Sequence, residues 1–422
     1  MASEPQHIAI AKRLVKKHHL KAIDGLLYRY NGSGLYVCDA LSVVEREAQR
    51  QLGAEVSTHL VNEILSWIRR DVATSRESFD FDPSIVNVAN CRLNVRTGAV
   101  DSHSAEHLSL VQVASGYDPG ATCPTVQRFM SEVLKPEDVP LVEELFGYCL
   151  LRSYPIHKAF LLVGEGENGK SSLIELLRTF LGVDNCASLS IQELEDDRFA
   201  RADLSGKLAN LFADLPTKPM NHIGVFKMLT GGDTLSADRK FRERVSFKNH
   251  AKVVFSTNRP PKVYGEDSFA FWRRWIVVDF PYSFTGRADR NLLAKMTTKQ
   301  ELAGLLNLAL VGLRRLLDRE QFSYDCTPDQ VAEKYARLAD PVLSFVDEEC
   351  VLEPDATVRK DVLYTAYVDH CESRGETALT KESFGRSLRN QSKLQVACIR
   401  QRDGDERQYA YRGIALKDWR EE

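Results

Sequence analysis

The sequence predicts an α/β fold with a parallel sheet, set between an N-terminal mixed or helical region and a small C-terminal domain. Three observations predict it. From Lys158 onward, short apolar runs alternate with helical patterns: Ala159–Val163, Leu208–Ala213, Ala251–Ser256 and Ile276–Phe280. Such alternation is the mark of buried parallel strands joined by helical crossovers. The first run leads straight into a glycine-rich loop and then a helical stretch, Ser172–Leu181. Turn signals punctuate the chain at Tyr117-Asp-Pro-Gly120, Cys123-Pro124 and Asp340-Pro341.

These signals divide the chain into an accessory region (1–84), a helical domain (85–155), the α/β core (156–285), a helical extension (286–340) and a last domain (341–422). The first region predicts a helix over 56–71. Short strands follow at 85–88 and 93–95, with a turn at Thr97-Gly98. Helical patterns run through 126–134 and 139–151. After the core, another spans 287–339. Within it Leu302–Leu317 carries apolar residues at three- and four-residue spacing, a buried amphipathic helix.

Composition narrows the classes. The chain has 422 residues, with 56 Lys and Arg against 59 Asp and Glu, a net charge of −3. That excludes a highly basic coat protein but not local basic patches. No apolar stretch reaches the roughly 18 residues of a membrane span. Met-Ala-Ser-Glu-Pro lacks the layout of a signal peptide, and the nine scattered cysteines form no C-x-x-C pair. Both point to a reducing cytoplasm. The ten histidines show no metal-ligand spacing, and His18-His19 reads as a solvated helix face.

The loop Gly164-Glu-Gly-Glu-Asn-Gly-Lys-Ser171 matches G-x-x-x-x-G-K-[ST] in its strand–loop–helix setting. Gly164, Gly166 and Gly169 let backbone N–H groups curl round phosphate oxygens, together with Glu167, Asn168 and Ser172 of the same loop. The helix N-terminus adds its dipole. Lys170 reaches the β- and γ-phosphates and Ser171 offers its hydroxyl to Mg²⁺. ATP with Mg²⁺ is therefore the expected ligand pair. Asp214 ends the next strand, where a second metal ligand or a water-polarising acid belongs. Asn258 ends a third, where an amide can sense the γ-phosphate. In Phe271-Trp-Arg-Arg-Trp275, Arg273 and Arg274 are either a solvated pair or include a finger for a neighbouring subunit's ATP.

Taken together these segments resemble the superfamily 3 helicases, of the phage/plasmid primase–helicase type, with an AAA+-like P-loop ATPase core. The resemblance is carried by Gly164–Ser172, Asp214, Leu229-Thr-Gly-Gly-Asp233 with Ala237-Asp-Arg-Lys240, Ser256-Thr-Asn258 and Trp272-Arg-Arg274. It extends to Val88–Gly98, Tyr117-Asp-Pro119 and Gly147-Tyr148 in the preceding domain. The family places a DNA-gripping hairpin after Asp233, which implies Lys240 as the gripping lysine. The residues agree: Lys227, Arg239, Lys240, Arg242, Arg244, Lys248 and Lys252 are opposed only by Asp233, Asp238 and Glu243. The last domain resembles the family's winged helix. A helix over 358–374 precedes one over 380–391, with a Thr380 cap and Glu382 expected at the capping-box offset. A hairpin turns at Asp403-Gly404-Asp405. Its candidate phosphate contacts are Lys381, Arg386, Arg389, Lys393, Arg400, Arg402, Arg407 and Arg412.

The resemblance implies an ATP-driven helicase of a phage, virus or plasmid replicon. It would work as a hexamer on single-stranded and forked DNA, moving 3′ to 5′ in the host cytoplasm. No primase domain is evident, so a separate primase or other replisome proteins are expected as partners, and no membrane is. A non-unwinding DNA-bound ATPase, such as a loader or packaging motor, would use the same P-loop. So would a small-molecule P-loop kinase, which leaves the basic segments unexplained.

Overall fold

The computed structural model describes residues 4–216, 218–220, 223–239, 242–263, 268–373, 378–390, 394–403 and 406–417. The side chains at 239, 242, 243, 390, 401–403 and 406–408 also lie outside the description. Lys240 and Lys393 therefore fall outside the described residues, as do the side chains of Arg239, Arg242, Arg402 and Arg407.

Three helices, Gln6–His18, Ala40–Leu52 and Thr58–Asp71, close an N-terminal core around Ile10, Leu14, Val44, Ile64 and Ile68. The third begins at Thr58 because Ser57 caps it, its Oγ accepting from the Leu60 N–H at 3.3 Å. Val61, Ile64, Leu65 and Ile68 form its buried stripe. The helix Gln6–His18 ends with His18 half-buried against Glu47 rather than solvated.

The central sheet is five-stranded and parallel. Its strands are β1 (Ala159–Val163), β2 (Cys186–Ala187), β3 (Ala209–Phe212), β6 (Lys252–Thr257) and β7 (Trp275–Asp279). Between β3 and β6, β4 (Thr234–Arg239) and β5 (Arg242–Lys248) form a separate antiparallel hairpin. The sheet order is β7-β1-β6-β3-β2, so among sheet strands it runs 5-1-4-3-2. Registers Trp275↔Ala159 and Lys252↔Ala209 align the amino ends of the strands. The P-loop therefore leaves one edge of the sheet, while the hairpin root and the Arg273-Arg274 pair lie at the other.

One apolar core runs from Val86 through Phe322. It joins the helices Pro124–Val133, Val139–Leu150 and Lys299–Arg319 to one face of the sheet. The last two cross closely because two glycines, Gly147 and Gly312, let their backbones meet, while Gly304 admits the stretch at Thr122. A Cβ at Gly147 would lie 2.2 Å from the Ala309 carbonyl oxygen, and Gly312 and Gly304 face the backbones of Glu143 and Thr122. Leu302–Leu317 is helical and faces inward, as its periodicity predicts.

The C-terminal module has its own core around Phe345, Leu363, Tyr367, Phe384, Leu388 and Ile414. The expected helix over 358–374 begins instead at Lys360. Residues Thr357–Arg359 pair antiparallel with Glu406–Arg412, β-branched Thr357 and Val358 suiting an extended edge. The next helix, Lys381–Asn390, has Thr380 as its cap. Its Oγ1 accepts from the N–H of Ser383, so Glu382 sits one position early for a reciprocal capping bond. The hairpin pairs Asp403 with Glu406 across the expected turn. Among the described residues, no helix is long and apolar enough to cross a membrane.

Candidate functional site

The P-loop's shape follows from its glycines and from one buried amide. Gly169 adopts φ +93°, and a Cβ there would come within 2.7 Å of Val133 Cγ1. At Gly164 a Cβ would meet Asn168 Nδ2 at 2.3 Å and the Phe280 carbonyl oxygen at 2.5 Å. Asn168 is buried and donates to that Phe280 oxygen at 3.2 Å, tying the loop to the end of β7. Glu167 sits at φ +56°, and the Phe284 N–H donates to its carbonyl at 2.9 Å. Alternating left- and right-handed residues of this kind turn successive N–H groups toward one point, an anion-binding nest. Gly166 has open space where a Cβ would be.

Behind the loop, α1 (Lys170–Leu181) starts at the lysine itself. Lys170 Nζ donates to the carbonyls of Gly164 and Glu165 (2.9 Å), to Asn168 Oδ1 (3.0 Å) and to Asn258 Oδ1 (3.2 Å). Burial pushes its pKa down to about 8, outweighing the attraction of Asp214 and Glu165. A cation held by neutral oxygens and destabilised by burial is the donor a phosphate would satisfy.

The sheet order brings the other residues in. β1 and β6 are neighbours, and β3 lies beside β6, so Lys170, Asn258 and Asp214 meet at three adjacent carboxyl ends. Ligands of open α/β sheets bind in that crevice. Gly166–Ser172, Asp214, Ser256, Thr257 and Asn258 line one cavity of about 320 Å³. Asp214 takes φ +64° just past β3, uncommon for a non-glycine residue, and its N–H donates to Ser256 Oγ at 3.4 Å. Ser171, Asp214 and Asn258 are exposed to the cavity. A hydroxyl and a carboxylate facing the same anion nest form a donor set that fits a hard divalent ion.

Arg273 and Arg274 are not brought to this cavity. They precede β7 at the sheet's amino edge, separated from the P-loop by roughly 13 Å of strand. Arg274 is 9% exposed, and its guanidinium bonds the Ala270 carbonyl. Arg273 is exposed. Of the basic run around the hairpin, Lys252 must be withdrawn as a DNA contact. It is wholly buried, its Nζ capped by the carbonyls of Leu151, Ser153 (2.9 Å) and His250 (2.9 Å) over the Tyr148 ring. Arg244 is exposed but paired with Asp238 at 3.3 Å, which also holds Arg198. In the last module Arg386, Arg389 and Arg412 are exposed, and Arg400 lies over Tyr409.

A second cavity, about 490 Å³, adjoins the first across Gly166, Asn168 and Asn258. Arg259, Pro281, Tyr282, Leu338, Pro341 and Ser344 help to wall it. No motif announces these residues. They come from three stretches, at 259, 281–282 and 338–344, which the fold brings to one wall beside the P-loop.

The strand order, the P-loop and its buried lysine define an α/β protein of the P-loop class. Residues 11–135 match the family described as D5 N terminal like and residues 337–395 the one described as Poxvirus D5 protein-like. Residues 162–274 match a family of unknown function, DUF5906. The D5-type matches on both sides of the core support a phage and viral primase–helicase family for this chain. A protein of Acanthamoeba polyphaga mimivirus named as a putative helicase is 31% identical over 152 residues. These are 34% of this chain and 16% of that protein, so the match spans a small part of the relative's length. The fold is similar to that of the C-terminal region of NrS-1 in its apo form. In one structure the TM-score is 0.51 at 12% identity over 96% of this chain and 99% of the other, and in a second it is 0.49 at 12% identity over 97% and 99%.

Proposed function

We propose that this chain is an ATP-dependent DNA helicase that works as a ring, probing each nucleotide from two subunits. The convergence of Lys170, Ser171, Asp214 and Asn258 on one cavity is the observation that carries the reading. The triphosphate would lie along Gly166–Ser172, with Lys170 on its β- and γ-phosphates. The nucleoside would lie in the adjoining cavity between Tyr282 and Pro341. Mg²⁺ held by Ser171 and Asp214 would neutralise charge on the phosphates. Asn258 would orient the attacking water, and Asp214 would accept its proton. Arg273, exposed on the far edge of the sheet, would serve the neighbouring subunit's site.

The hairpin β4–β5, with Arg239, Lys240, Arg242 and Arg244 toward its tip, would grip single-stranded DNA. The C-terminal module would act as a winged helix, setting Arg386 and Arg389 on one helix face and Arg402 in its hairpin. Hexameric assembly, 3′ to 5′ movement, a separate primase and action in the host cytoplasm complete the proposal by resemblance.

The test is unwinding of a forked duplex together with DNA-stimulated ATP hydrolysis. Lys170→Ala is expected to lower hydrolysis at least about a hundredfold and abolish unwinding. Hydrolysis stimulated by DNA without strand displacement would replace the helicase with a loader. Hydrolysis indifferent to DNA would reject both.

A further inference from the structure

A cleft of about 860 Å³ opens on the side of the sheet away from the nucleotide site, between the N-terminal module and the root of the hairpin. Its place follows from the strand registers. Lys207 precedes β3 and His250 precedes β6, so both stand at the sheet's amino edge. Arg76 and Tyr28 come from the N-terminal module and Arg152 from the segment before the core. Phe247 and Lys248 are the last residues of β5.

The wall carries more positive charge than it neutralises. Arg76, Arg152, Lys207 and Lys248 line it, against Glu77 and Asp184. Arg152 is balanced by Asp80 at 2.9 Å outside the lining. Even so, Arg152 Nε is buried with no hydrogen-bond partner among the described residues, and so is His250 Nε2. Two polar atoms without a partner thus stand behind a single wall of the cleft. Burial and the neighbouring Arg152, Lys252 and Arg76 push the His250 pKa down to about 3, which keeps the ring neutral and the surrounding field positive. Tyr28 and Phe247 are half-buried and add aromatic faces.

Cations interleaved with ring faces recognise a sugar–phosphate strand with unstacked bases. The cleft is also continuous with β5, at whose other end the proposed DNA-gripping residues lie. The geometry points to this cleft as a second single-stranded DNA site, in which the phosphodiester backbone passes between the N-terminal module and the hairpin root. It rests on the helicase reading and adds a track that the hairpin alone does not supply.

The test uses the full chain and a fluorescent oligothymidylate, followed by anisotropy over a range of salt. R76E/K248E, at a half-buried and an exposed position and checked for an unchanged melting temperature, is expected to bind at least about tenfold more weakly at 0.1 M salt. Its log–log salt slope should be shallower by about 1.4, the loss of two single-strand phosphate contacts. Cys38 also lines the cleft and is an exposed free thiol, as is Cys326 elsewhere. The oligonucleotide should shield Cys38 from a maleimide and leave Cys326 reactive. The cleft is rejected, with the helicase reading intact, if R242A weakens binding while R76E/K248E and Cys38 reactivity stay as in the parent. It is rejected as a strand site if ATP, and not the oligonucleotide, shields Cys38. Failure of the parent chain to bind any oligonucleotide overturns both readings.

Discussion

Lys170 shows how a residue's environment prepares it for a ligand. Its pKa of about 8 means that about half the lysines are neutral at pH 8 before nucleotide binds. The proposed triphosphate would favour the charged form and raise that pKa, so its binding would take up a proton. The uptake should be large between pH 8 and 9.5 and vanish below about pH 6.5, where the lysine is already charged. Calorimetry of ATP binding in buffers of different ionisation enthalpy reads it directly. Binding with no buffer dependence at pH 8.5 would remove Lys170 from the phosphate contact. The residue types of this site were legible in the chain, because a P-loop compresses its chemistry into eight adjacent positions. Burial was not. Lys252 sits in a basic run and looks like its neighbours, yet it opens a central strand and points among the Leu151, Ser153 and His250 carbonyls. Charge is written in a sequence; the side of a strand it faces depends on register.

Elements explain why some residues are small. Gly147 looks in the sequence like one more residue of the helix Val139–Leu150, next to an aromatic. In the fold it is where the helix Lys299–Arg319 comes closest, and Gly312 answers it from the partner helix. Gly147→Ala would drive a methyl into the Ala309 carbonyl and the Leu313 backbone, so one helix must shift. A loss of about 2–3 kcal/mol in unfolding free energy is expected, the usual range for overpacking. Denaturant titration checks it, and a neutral effect would show that the crossing yields without cost. Helix positions were readable from periodicity, as at Leu302–Leu317. The edge strand Thr357–Arg359 was not, because its pairing partner, Glu406–Arg412, lies some fifty residues on and short edge strands carry no period of their own. The same distance in sequence hid the wall of Tyr282, Leu338 and Pro341 beside the P-loop.

At the scale of the whole molecule the sheet separates two kinds of chemistry. Lys170, Asp214 and Asn258 stand at the carboxyl edge, and Arg273, the hairpin root and the basic cleft stand at the amino edge. Nothing in the order of motifs along the chain reveals that separation, since Asn258 and Arg273 are only fifteen residues apart. It follows from the parallel register of β6, β1 and β7, which sends each motif to the end of the strand it follows or precedes. On the proposed reading, the work of hydrolysis would be divided between copies. Arg273 stands a full strand height from the P-loop of its own chain, so the role proposed for it in hydrolysis would require a neighbour. Arg273→Ala and Lys170→Ala subunits should each be inactive alone. Mixed in equal amounts, they form junctions in which an intact Lys170 faces an intact Arg273. These make up about a quarter of all junctions in a randomly assembled ring. Recovery of roughly that share of DNA-stimulated hydrolysis, with co-assembly confirmed by native mass, is the expected result. Mixed rings without any recovery would mean that Arg273 acts within its own subunit or not at all, and the paired-subunit site would have to be given up.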